Sequence, residues 1–242
     1  NRDPVPAQAL ADLEQVPDAV WAKVDTSAAK APIFAGGTPA VANGKVEILY
    51  FGAEYCPYCA ADRWAIVAAL SRFGTFSNLS TVRSSLVDVY PGTPTFSFHG
   101  STYQSDYVRF DAVEIQTNKL GADGNYTRLD TPTAEQEQLV RRYDAPPFVP
   151  AQAQGTIPFL LVGRQYLWSG SPYSPGLFGG KEWPEIAAGI KSGEPDYAKA
   201  VLAEATLLTA SICRLDGEQP ETVCKGAAVQ KAMAALPTTG PQ

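Results

Sequence analysis

The chain predicts an α/β fold, and three observations carry that expectation. Val46-Glu47-Ile48-Leu49-Tyr50-Phe51 is almost continuous in apolar residues and reads as a strand buried on both faces. Soon after it, Cys56-Pro57-Tyr58-Cys59 opens a segment of helical character. Far downstream, Thr156 to Val162 reads as a strand that Gly163-Arg164 turns back into Gln165-Tyr166-Leu167-Trp168, and three helical stretches follow.

The bulk properties fit a domain with a full core. There are 242 residues, 45% hydrophobic and 18% charged. Lys and Arg total 19 against 25 Asp and Glu, for a net charge of -6, with no basic run. A nucleic-acid partner is therefore not expected. No apolar stretch reaches the ~20 residues of a membrane span. The chain starts at Asn1, and Asn1-Arg2-Asp3-Pro4 is not a signal peptide, which leaves room for a leader or membrane tether upstream of residue 1.

Taken in order, Ala9 to Val24 has helical spacing interrupted by Pro17, and Pro32, Gly36, Gly37 and Pro39 make a linker. Residues 1–44 thus read as an N-terminal helix and linker. Cys56 is placed as the N-cap of the next helix, with Pro57 at its first position, where a missing N–H costs nothing. Trp64, Val67, Ala68 and Leu70 supply that helix's core face, and Gly74 ends it. Short β-like runs follow at Leu86 to Val89, Thr95 to Phe98 and Tyr107 to Ile115, and Asp123-Gly124 reads as a hairpin turn. Thr133 begins a helix through Tyr143, with Glu135 and Glu137 in its first turn and Arg141 and Arg142 near its end, as the helix dipole prefers. The last helices are expected at Glu182 to Lys191, Asp196 to Cys213 and Glu221 to Leu236.

Cysteine carries the chemistry. A sulfur at a helix N-terminus faces unpaired N–H groups and the positive end of the dipole, so Cys56 is expected to be the more acidic, attacking thiol. Cys59, nearly one turn deeper, can reach Cys56 to resolve a mixed disulfide and is more shielded. A purely structural Cys56–Cys59 bond is the bland alternative. A four-cysteine zinc site fits poorly, because Cys213 and Cys224 are too far apart to make a second short knuckle. A Cys–His hydrolase would rest on His99 alone. Of the three possible cysteine pairings, proximity favours the two local ones. Cys213–Cys224 is read as a structural staple of a helix–loop–helix corner, with a second redox pair as the alternative. Two local pairs suit an oxidising, extracytoplasmic compartment. Tyr58 lies inside the motif and is a candidate substrate contact, with Tyr55, Tyr166, Trp168 and Tyr173 as further members of an apolar rim.

Phe51-Gly52-Ala53-Glu54-Tyr55-Cys56-Pro57-Tyr58-Cys59 resembles the active-site segment of the thioredoxin superfamily, and Thr156-Ile157-Pro158 resembles its cis-proline loop. The stretch from about Gly44 to Cys224 is similar to membrane-tethered, thioredoxin-like proteins of actinobacteria and archaea known only as a domain of unknown function. The resemblance implies a thioredoxin-like fold over residues 45–242, a nucleophilic Cys56, a resolving Cys59 and a cis Pro158. It also implies a substrate segment pairing beside Thr156 and Ile157, as in β-strand addition. Cys59 and Pro158 lie about a hundred positions apart, so an insertion at about 75–155 is expected before the cis-Pro strand, and extra C-terminal helices at about 194–236. Where the superfamily often has a buried acid, six residues before the first cysteine, this chain has Tyr50. Glu54 is the stand-in candidate for a proton relay, with a simply solvated side chain as its alternative. The expected function is extracytoplasmic exchange with protein or peptide thiols and an unidentified redox partner, oxidation favoured over reduction, without metal or organic cofactor. The competing expectation is a redox-inert binding module held by a structural Cys56–Cys59 bond.

Overall fold

Alternation along the apolar run after Gly44 sets up two cores. In the computed structural model, which describes residues 2–241, this run forms the central strand of a mixed sheet. The sheet's strands are β1 (Ile33–Phe34), β2 (Val41–Ala42), β3 (Lys45–Gly52), β4 (Val108–Glu114), β5 (Phe159–Val162) and β6 (Tyr166–Ser169). Val46, Ile48 and Tyr50 of β3 enter the larger core, and Leu49 enters a smaller one on the opposite face. A strand buried on both sides needs this near-continuous apolar run.

β3 runs parallel to β4, Val46 opposite Val108 through Gly52 opposite Glu114, and antiparallel to β5 on its other edge, Phe51 opposite Phe159. β6 continues antiparallel beyond β5, and β1 closes that side. The β5–β6 turn runs through Gly163, Arg164 and Gln165, with Gly163 and Arg164 at positive φ and the Gln165 N–H donating to the Val162 carbonyl. Parallel strands cannot be joined by a hairpin. The β3–β4 crossover accordingly carries a helix and two small antiparallel pairings, Gly74–Ser77 with Thr102–Ser105 and Ser80–Arg83 with Pro94–Ser97.

The principal helices are α1 (Ala7–Glu14), α2 (Pro57–Leu70), α3 (Ala134–Tyr143), α4 (Trp183–Ser192), α5 (Asp196–Leu215) and α6 (Ala227–Ala235). α2 is buried almost all round, because it lies on the sheet and is covered by α5 and by the Pro94–Ser97 strand. α3 covers the opposite face through Leu139, Val140 and Tyr143, and Thr133 and Gln136 cap it reciprocally. α1 places Ala9 and Leu13 in the larger core and packs on α4.

Several expected elements differ. Pro17 divides the first helix, leaving α1 and a single turn at Asp18–Trp21. The run from Leu86 to Val89 is an exposed loop rather than a strand. There the Ser85 hydroxyl accepts from the Val87 N–H and the Asp88 carboxylate from the Val89 N–H, so local side chains compete with a ladder. The final helix is broken at Gly226 into Glu221–Cys224 and α6. α5 runs on past Cys213 to Leu215.

Candidate functional site

Cys56 is the N-cap of α2, with φ −72° and ψ 120°, and Pro57 occupies the first turn. Its Sγ accepts the Cys59 N–H at 3.2 Å, one of the N-terminal amides that the helix leaves unpaired. Both residues of the pair are free thiols. Cys56 keeps 5% of its surface and Cys59 none, which makes the first sulfur the only reachable one.

Their chemistry diverges for the same reason. Hydrogen bonding from the Cys59 side chain, then from backbone N–H groups, and the Arg63 charge hold the Cys56 thiol below its ordinary range against the opposing effect of burial. Burial, reinforced by the neighbouring Cys56, pushes the Cys59 thiol well up. A more acidic outer sulfur over a protonated inner one is an arrangement suited to stepwise thiol exchange.

The residues expected beside Cys56 come from the turn before β5. The Ile157–Pro158 bond is cis, and the Ile157 carbonyl oxygen lies 3.8 Å from Cys56 Sγ. Thr156 is exposed and its hydroxyl donates to the Ala153 carbonyl, Ile157 is half-buried and Pro158 is buried. Tyr58 stands out at 40% exposure. Its ring meets Tyr90 edge-on at 6.0 Å, and the Ser85 N–H donates to the Tyr55 carbonyl, so the exposed Leu86–Tyr90 loop is tied to the cysteine turn.

The rest of the expected aromatic rim does not form. Tyr166 and Trp168 are core residues, drawn inward because β6 is covered on both faces, and Tyr173 beyond it packs into the same larger core. Tyr173 donates its hydroxyl hydrogen to the Ala61 carbonyl inside the core. Tyr55 stacks on Tyr126, with centroids 4.0 Å apart.

Glu54 is not solvated. It is 1% exposed, paired with Arg2 at 2.6 Å and accepting the Ser97 hydroxyl at 2.6 Å. No hydrogen bond joins it to either sulfur. His99 pairs with Asp130 and forms no Cys–His couple. Among the described residues no group of three or more His, Cys, Asp and Glu could hold a metal ion. Cys213 and Cys224 are joined by a disulfide, with Cα atoms 5.6 Å apart, and both are fully buried.

Beneath the cysteines lies a polar layer missed at the level of motifs. Arg63 makes a two-pronged ion pair with Glu114, 2.8 Å through Nε and 2.6 Å through Nη2, and Nη2 also donates to the Ala53 carbonyl at 2.7 Å. It therefore ties α2 to the end of β4 and to the residues leading into the motif. The available signal was an arginine four positions after Cys59 in a helix whose only other charged residue is its neighbour Asp62.

No curated protein and no solved structure matches this chain. One family does, described as a domain of unknown function (DUF929), and its match runs over residues 34–214, from the end of β1 to near the end of α5. That span holds the cysteine turn, the Ile157–Pro158 step and the whole polar layer, so the chain belongs to the DUF929 family.

Proposed function

We propose that the domain is an extracytoplasmic thiol–disulfide oxidoreductase of thioredoxin-like fold, acting on protein or peptide thiols through Cys56 and Cys59. The carrying observation is the asymmetric pair: a low-lying thiol at a helix N-cap with residual exposure, above a fully buried partner whose N–H it accepts. The fold reading is supported by the sheet order β6–β5–β3–β4, with β3 and β4 parallel and the other two antiparallel. The cysteine helix following β3 and the cis Ile157–Pro158 step preceding β5 agree with it. The buried Cys213–Cys224 bond supports an oxidising compartment. Among the described residues no helix is long and apolar enough to cross a membrane.

In the reductive direction the Cys56 thiolate attacks a substrate disulfide. A Cys56–substrate bond forms, the substrate S–S bond breaks, and one substrate thiolate leaves. Cys59 then loses its proton and attacks Cys56 Sγ, closing Cys56–Cys59 and expelling the second thiolate. Two electrons have passed to the substrate. Oxidation of a substrate dithiol, the favoured direction in an oxidising compartment, is the same sequence reversed. The electrons move between cysteine pairs, so the exchange calls on no further cofactor.

The test is trapping. Cys59→Ser is expected to accumulate a mixed disulfide with a peptide disulfide, and Cys56→Ser is not. Titration against glutathione decides against the competing binding module. A Cys56–Cys59 potential below about −300 mV would mark a structural bond and overturn the enzymatic reading.

A further inference from the structure

Two buried polar atoms beside Cys59 have no partner, the Tyr50 hydroxyl and Nη1 of Arg63, although both side chains are fully sealed from solvent. Orphaned groups of this kind are uncommon in folded interiors, because each forfeits a hydrogen bond it had in water. The hydroxyl and the Cys59 sulfur both border the space beside Gly52, and the Arg63 charge acts on both groups. A Cβ placed on Gly52 would stand 2.3 Å from the Tyr50 hydroxyl and 3.1 Å from Cys59 Sγ, so glycine at the end of β3 lets phenol and sulfur approach. The Arg63 guanidinium lies 5.7 Å from the Tyr50 ring centroid and one helical turn beyond Cys59.

We propose that the Tyr50 hydroxyl and the Arg63 guanidinium form a preorganised cradle for the Cys59 thiolate, left vacant by the protonated thiol and engaged only when Cys59 ionises. This rests on the exchange chemistry proposed above. In the resolving step the Cys59 proton leaves to solvent, and the sulfur that attacks Cys56 carries negative charge. A hydroxyl donor and a fixed cation on that charge stabilise it, as an oxyanion hole stabilises oxygen. In the reverse step the same two groups receive Cys59 as the departing thiolate. Tyr50 acts as a donor and not as a base, since burial holds its own proton far above neutral pH. It thus answers the missing buried acid with a different chemistry.

The other charged groups around Cys59 are already committed. Glu114 on β4 is held by Arg63, Glu54 by Arg2 and Ser97, and Asp62 on α2 is turned towards Glu204 of α5. Cys56 itself and the Tyr55 hydroxyl are the remaining titratable neighbours.

The experiment titrates Cys59 by thiolate absorbance in Cys56→Ser, with and without Tyr50→Phe. It also follows resolution of a glutathione mixed disulfide on Cys56, with both cysteines present, against pH. Tyr50→Phe removes an unbonded hydroxyl, so folding is expected to survive. The Cys59 titration should move upward and its thiolate fraction at neutral pH should fall roughly tenfold, as for loss of one hydrogen bond to a charge. A more basic thiolate is also more nucleophilic, so resolution slows by only about threefold. Gly52→Ala, whose methyl enters the gap, should move Cys59 the same way. An unmoved Cys59 titration in folded Tyr50→Phe overturns the cradle. Should no glutathione adduct form at all, the exchange reading fails by itself, and the titration still judges the cradle.

Discussion

Asp62 of α2 and Glu204 of α5 face each other with both side chains closed off from solvent, and the pair keeps a proton that isolated carboxylates would lose. Burial lifts Asp62 to about 6, and burial together with the facing Asp62 carries Glu204 well above its ordinary range. None of the four oxygens has another hydrogen-bond partner, so a proton held between the two carboxyls would satisfy them.

The pair should make the fold acid-favoured in this region. An acid raised in the folded state binds more protons there than in the unfolded chain. Its contribution is complete below the unfolded value near pH 4 and is lost as pH rises through 6 and beyond. Glu204→Gln, whose amide can donate to an ionised Asp62, should flatten that slope, which is at most about 1.4 kcal/mol per pH unit for one proton. Urea unfolding at pH 5 and pH 8 measures it. The variant is expected to gain relative to the parent chain at pH 8, and an identical pH dependence in both proteins would refute a shared proton.

A different outcome is expected for Arg63 and Glu114, where charge is retained. Glu114→Leu leaves a buried guanidinium with no counter-ion and should cost about 3–5 kcal/mol. Glu114→Leu combined with Arg63→Met should recover most of that loss, since a well-packed apolar pair of similar volume replaces a buried ion pair at little cost. Denaturant midpoints of the two variants check this. Losses in the double variant as large as in the single one would mean that Arg63 matters for packing rather than for charge.

These buried pairs also mark where the sequence stops being legible. The cysteine turn reads directly, because Cys-Pro-x-Cys after an apolar strand supplies an N-cap, a tolerated first-turn proline and a second sulfur at helical spacing. The β5–β6 hairpin reads as well, since Gly163-Arg164 sits between two apolar runs. Asp62, Arg63, Glu114 and Glu204 form two pairs spread over three elements, and no local pattern joins them before the elements pack. Leu86 to Val89 shows the opposite error: its β-like composition is overridden by Ser85 and Asp88 bonding to their own backbone. Tyr166 and Trp168 misled for a related reason, because an aromatic strand is as readily core as rim.

The Cys213–Cys224 bond joins the end of α5 to the turn before α6 across a short loop. Closing a loop of that size restricts the unfolded chain by about 2–3 kcal/mol. Cys213→Ala with Cys224→Ala should lower stability by that amount and leave the reactivity of Cys56 unchanged, because the two sulfurs are buried in the α5–α6 corner. Thermal unfolding together with Cys56 alkylation rates measures both. A changed Cys56 rate would instead point to electron relay between the pairs.

Order of alkylation tests the asymmetry of the cysteine turn in the unaltered chain. Iodoacetamide consumes thiolate, so rate follows both ionisation and access. Cys56 is favoured on both counts, through the hydrogen bonds and Arg63 charge that lower its thiol and through its residual exposure, whereas Cys59 is protonated and sealed. Mass spectrometry of the reduced protein at neutral pH should therefore find a singly modified species carrying the label on Cys56. As pH falls through the Cys56 value the labelling should slow tenfold for each pH unit, since the thiolate fraction then falls in proportion. Denaturation should abolish the preference, because the helix N-terminus that creates it is gone. Labelling of Cys59 first, or equal labelling in the folded protein, would remove the physical basis for assigning attack to Cys56.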